Sequence, residues 1–162
     1  MEEKKAQAWA FDLMVALAIF MAAIILFFFF SVNYKAEGED ILNSMQYDGN
    51  AAADTLLSAG YPENWDSANV IIPGLLTNKK INQTKLDSFY SISSSNYGKA
   101  KSLLNTNYNF CLNFSEHITI TGNPNPISCI GSLDANSENL IVVSRFTFYK
   151  DKPVLLKLYI WN

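Results

Sequence analysis

Residues 8–32, AWAFDLMVALAIFMAAIILFFFFSV, decide how the rest of the chain is organised. Positions 13–30 are 18 consecutive apolar residues. As a helix such a run is about 27 Å long, close to the ~30 Å hydrocarbon core of a bilayer. One charge, Asp12, stands just ahead of it, and Lys4 and Lys5 lie further upstream. A secretory signal peptide has a shorter apolar core followed by a small-x-small cleavage site, which Phe-Phe-Ser-Val-Asn-Tyr does not supply. A buried helix of a soluble protein needs cover on every side, and a chain of 162 residues struggles to provide it for a rod that is apolar all round. The stretch therefore predicts a single membrane-spanning helix. Two lysines precede it and Lys35 follows closely, a bias that puts the N-terminus in the cytoplasm and the rest outside.

The remainder, from residue 33 on, is polar enough to live in water and long enough for one small domain. It carries 10 Lys and Arg against 12 Asp and Glu, a net charge of −2 that argues against binding nucleic acid or anionic lipid by charge. Cys111 and Cys129 form an even pair, without a Cys-x-x-Cys and with a single histidine, His117, in the chain. A zinc site needs more ligands than that, so a disulfide in an oxidising external compartment is expected, with two buried thiols as the alternative. Asn82-Gln-Thr and Asn113-Phe-Ser are sequons, open to N-glycosylation if the domain faces outward.

No proline occurs before Pro62, so helix is allowed through the first sixty residues. Over residues 33–60, Leu42, Met45, Ala52 and Leu56 recur at helical spacing with Gly49 in the slot between, and Ile41, Ala53 and Leu57 widen the stripe. This predicts an amphipathic continuation of the first helix, with Gly38 and Gly49 as weak points and Gly60 as its C-terminal cap. An unbroken helix over residues 8–59 would be about 78 Å long. Residues 60–82 read as turn and loop, with Tyr61-Pro62 and Ile72-Pro73-Gly74 as breakers. Thr84 can cap a short helix KLDSFYSI, and Asn96 or Ser95 another, YGKAKSLLN. After Asn105 the period changes to two. Strands are expected around Tyr108, Phe110, Leu112 and Phe114, at 117–121, at 127–130, and as a hairpin of 140–149 with 153–161 about a tight Lys150-Asp151-Lys152 turn. The fold class is α+β: a long N-terminal helix, membrane-spanning in its first half, packed on a small antiparallel sheet.

No catalytic constellation is present. His117 is lone, neither cysteine has a base beside it, and no Gly-x-Ser-x-Gly, phosphate loop or paired-metal spacing occurs. Trp65 and Trp161 fit packing or a surface contact, and Arg145, the one arginine, can pair with a carboxylate or lie exposed. Neither an enzyme nor a cofactor is expected.

The leader KKAQAWAFDLMVAL and the long helix feeding a small sheet domain resemble archaeal type IV pilins and pilin-like proteins, which carry a class III signal peptide. AGYPENW, IPGLLTNKKIN, KLDSF, NYGKAKSLL and SRFTFYKDKPVLLKLYIW look like pieces of their ectodomains, so the resemblance spans nearly the whole chain. It implies a leader of residues 1–6, an assembly helix at 7–32, its continuation at 33–60 and an extracellular pilin-like head at 61–162. A prepilin peptidase would cut after Ala6, leaving Gln7 first; a cut after Gln7, with Ala8 first, restores the family's spacing of four to the acidic residue, Asp12. In an assembled filament Asp12 would pair with the new terminal ammonium of a neighbouring subunit. The implied partners are copies of itself or related pilins, the peptidase and assembly machinery, and the membrane. The function implied is a filament subunit serving adhesion, surface attachment or a secretion-type pseudopilus. The alternative is a single-pass anchored extracellular domain that binds a partner and never polymerises.

Overall fold

The computed structural model describes residues 3–33, 37–122, 125–133 and 137–162. The chain divides into two units, Met1–Glu39 and Asp40–Asn162. The first is one helix, α1 (Glu3–Asn33). Its run of Leu, Ile, Phe and Ala carries no breaker, so every residue can continue the helix. The second helix, α2 (Glu37–Leu56), belongs mostly to the second unit. The expectation of one unbroken rod depends on residues 34–36, which lie outside the described residues.

Within the second unit, α2 is followed by a hairpin of β1 (Leu76–Thr77) and β2 (Lys80–Ile81). Then come α3 (Gln83–Ser95), α4 (Tyr97–Leu103), β3 (Asn109–Phe114), β4 (Ile130–Gly131), β5 (Leu140–Tyr149) and β6 (Lys152–Trp161). The six strands form one sheet in the order β1-β2-β5-β6-β3-β4. The expected wholly antiparallel sheet is corrected at one place: β2 runs parallel to β5, bridged at Lys80 and Phe148. The β1–β2 hairpin is made long before β5 in the chain and docks onto the end of it, where Lys80 pairs with Asp151 of the β5–β6 turn.

The closing hairpin has the expected first strand, its second strand starts one residue earlier than expected, at Lys152, and the register is unbroken from Leu140↔Trp161 to Tyr149↔Lys152. Its loop is two residues, Lys150 and Asp151, both at positive φ, the backbone that suits strand twist. Asn78 and Lys79 turn β1 into β2 in the same way. That hairpin falls in a region expected to be loop, because Asn-Lys lacks the glycine by which such turns are usually recognised. The strand expected at 117–121 does not form. Ile118 and Ile120 are nevertheless buried, so the alternation marks a segment pinned to the core rather than a ladder. The strand expected at 127–130 is shorter and later, as β4.

The core lies between one face of the sheet and the three helices of this unit. Met45, Ala52, Ala53 and Leu56 of α2 are fully buried, while Leu42, expected on the same stripe, is exposed. Gly49 is the contact point rather than a weak point: a Cβ there would lie 3.1 Å from Val143 and 3.2 Å from Ile141. Phe110 of β3 stacks on Phe89 of α3 and Tyr97 of α4, with ring centroids 6.2 and 5.3 Å apart. Asn82, not Thr84, caps α3 by accepting from the Thr84 and Lys85 amides. Asn96 caps α4, accepting from the Lys99 amide.

Candidate functional site

Among the described residues, α1 carries a long run of exposed apolar side chains. Trp9–Val32 has a mean hydropathy of 3.0 with none of its apolar window buried, which makes it the one described helix long and apolar enough to cross a membrane. At 24 residues it is about 36 Å long, enough for a ~30 Å hydrocarbon layer. Phe27 to Phe30 set four aromatic rings near its end, paired edge to face as Phe27–Phe28 and Phe29–Phe30. Ala10, Ala16, Ala18, Ala22 and Ala23 leave the backbone open to close approach by another helix. Asp12 is exposed on this rod and makes no ion pair among the described residues. Ala6, Gln7 and Ala8 lie in the helical backbone of α1.

The cysteines are joined: Cys111 of β3 and Cys129, just before β4, form a disulfide with Cα atoms 5.4 Å apart. The bond closes an 18-residue separation, a loop for which chain entropy predicts about 3 kcal/mol of stabilisation.

Both sequons sit in ordered backbone. Asn82 uses its carbonyl oxygen as the α3 cap and donates its amide to Thr77 Oγ1 at 3.1 Å. Asn113 is in β3 opposite Lys157, and the hydroxyl of Ser115, the third sequon residue, accepts from the Leu155 amide at 3.0 Å. His117 is exposed beside Glu116, and the two line shallow grooves with Lys150 and Lys152 on one side and Ser115 and Ser128 on the other. No group of three or more His, Cys, Asp or Glu fit to hold a metal occurs among the described residues. Trp65 and Trp161 are both buried, and Trp65 donates its indole N–H to the Gly74 carbonyl at 2.7 Å. Arg145 takes the pairing role: it donates to Asn50 Oδ1 at 2.8 Å and reaches Asp54 at 3.5 Å, both on α2.

Lys85 escaped sequence reasoning. Its ammonium is buried and donates to the carbonyls of Ala59, at 2.7 Å, and Leu76, at 3.0 Å, joining the end of α2 to β1. Burial pulls its pKa down, and the Glu63 carboxylate pushes back. The signal was available, since Lys85, Phe89 and Ile92 share one face of α3 at helical spacing. Tyr97 is a second such group. Its hydroxyl accepts from the Phe110 amide at 2.8 Å and donates to the Phe110 carbonyl at 3.2 Å, occupying the edge of β3. Burial pushes the phenol pKa up, against the opposing pull of the Phe110 backbone bond.

Compared with known proteins, the chain matches no family model, no curated protein and no solved structure.

Proposed function

We propose that this chain is the structural subunit of an archaeal type IV pilus-like or pseudopilus filament, inserted in the membrane as a monomer and assembled through α1. The observation that carries the reading is that the whole apolar surface of α1 is uncommitted in the single chain. In the bilayer that surface meets lipid, and in a filament it meets other copies of α1. Asp12 has a part in this reading. Once a peptidase removes the leader, the new ammonium of a neighbour attracts the carboxylate by up to about 4 kcal/mol at 4 Å and an effective dielectric of 20. The pair sets the register between adjacent helices. The head, α+β and cross-linked by its disulfide, stands in the extracellular space.

Mass spectrometry of the protein from native membranes tests the reading. A mature form beginning at Gln7 or Ala8, recovered from a surface fibre, is expected. An intact Met1 or Glu2 terminus with no fibre containing the chain replaces it with the second reading, an anchored extracellular binding domain.

A further inference from the structure

We propose that the open edge of β5 pairs antiparallel with the same edge of a second copy of this chain, across residues 140–146. The backbone directions follow from one hydrogen bond. Ser115 donates to the Leu155 carbonyl at 2.9 Å, so odd-numbered residues of β6 turn their peptide groups toward β3 and even-numbered ones toward β5. Through the β5–β6 register, Ile141, Val143, Arg145 and Thr147 face β6. Leu140, Val142, Ser144 and Phe146 therefore point their N–H and C=O groups the other way. On that side β2 reaches β5 at Phe148 alone. Among the described residues the one further contact is from Arg145 Nη1 to the Ser144 carbonyl, at 3.3 Å. A row of unpaired peptide groups on a sheet edge is a template for another strand.

The side chains agree with the backbone. The outward row of β5 is Leu140, Val142, Ser144, Phe146 and Phe148, with no charge, proline or bulge to repel a neighbour. Phe146 is 83% exposed and Phe148 50%. Arg145, the one charge on the strand, lies on the inner face and is held by α2. A groove of about 410 Å³, lined by Gln46, Asn50 and residues 141–145, runs beside the edge.

A second copy fits better than a foreign peptide. A two-fold register centred on Val143 uses the whole open edge and stops short of β2. It sets Leu140 opposite Phe146 of the second copy and Val142 opposite Ser144 of the second copy, all with peptide groups facing one another. No like charges meet. At ~200 Å² for a fully exposed aromatic side chain, Phe146 with Leu140 and Val142 exposes about 330 Å². Two copies would bury at most about 700 Å², under the ~1,200 Å² of a stable complex. The contact is weak in dilute solution and forms between copies concentrated on one membrane, a help a free peptide lacks. The proposal thus rests on α1 as an anchor, not on filament assembly.

The test uses the full chain in phospholipid vesicles, recovered by flotation and treated with a short bis-maleimide. Ser144→Cys is expected to give covalent dimer several-fold above Ser91→Cys on the exposed side of α3. Lys157→Cys, on the same sheet face but one strand in, stays monomeric, because its counterpart lies three strand spacings, about 14 Å, away. Adding Phe146→Lys to Ser144→Cys returns the dimer to the Ser91→Cys level. A floating chain in which Ser144→Cys cross-links no better than Ser91→Cys overturns the pairing while the anchor stands. Equal cross-linking of Lys157→Cys overturns it in favour of sheets stacked by their faces. A chain that does not float removes the anchor and the pairing together.

Discussion

Tyr97 shows how one hydroxyl holds a strand edge. Tyr97→Phe keeps the ring stack on Phe110 but leaves the Phe110 amide without its partner, while the Phe110 carbonyl keeps the Ser132 amide at 3.0 Å. A loss of about 1–3 kcal/mol is expected, measured by urea denaturation of the full chain in detergent. The raised pKa adds a pH dependence. The unfolded phenol titrates near pH 10 and the folded one higher, so this contribution is complete below about pH 10 and is lost as pH climbs through the folded value. The stability gap between wild type and Tyr97→Phe should accordingly narrow above pH 10; a gap that widens there contradicts the assignment. At Asp12, alanine removes the proposed partner of a neighbour's ammonium and leaves that charge stranded. Loss of surface fibres with normal membrane insertion is the expected outcome, and normal assembly would end the register role.

At the level of elements, α2 meets the sheet through the absence of a side chain. Gly49→Leu would add four carbons against Val143, Ile141 and Ile160, which stand 3.1–3.3 Å from where the Cβ alone would lie. Overpacking of this kind costs about 1–3 kcal/mol, more than the gain from replacing glycine in a helix, ~1 kcal/mol. The midpoint of urea denaturation should fall. β3 and the segment before β4 are joined by the disulfide rather than by a long ladder, since β4 has two residues. Replacing Cys111 and Cys129 together by serine should lower stability by about 3 kcal/mol, read from the same denaturation curves. Some elements were plain in the chain and others were not. The β5–β6 hairpin has ten residues a side, two-fold alternation and a polar turn, so local signals agree. The β1–β2 hairpin has two residues a side and no glycine in its turn, so nothing local distinguishes it from loop. It exists because β5 and Asp151 offer it a place to dock.

Over the whole molecule, composition along the chain separates a rod that water rejects from a domain that water accepts. That much follows from residues 8–32 alone, because a helix apolar all round has no polar face to offer water and is long enough to cross a membrane. The stripe on α2, the cap at Asn96 and the cysteine pair were also legible, being set by spacing and local hydrogen bonding, whereas the α3 cap expected at Thr84 is Asn82. What tertiary structure alone decided depends on partners distant in sequence. It placed Lys85 under the carbonyls of Ala59 and Leu76, seated Gly49 against β5, made one strand pair parallel, and turned 117–121 into a pinned segment instead of a strand. Among the described residues it also left the outer side of β5 unpaired before Phe148, where β2 meets it, while β6 was closed on both sides. Hydrophobic period is a property of a segment, so sequence carries it; which edge is covered is a property of the assembled sheet, where each strand's hydrogen bonds are completed by residues the segment itself cannot name.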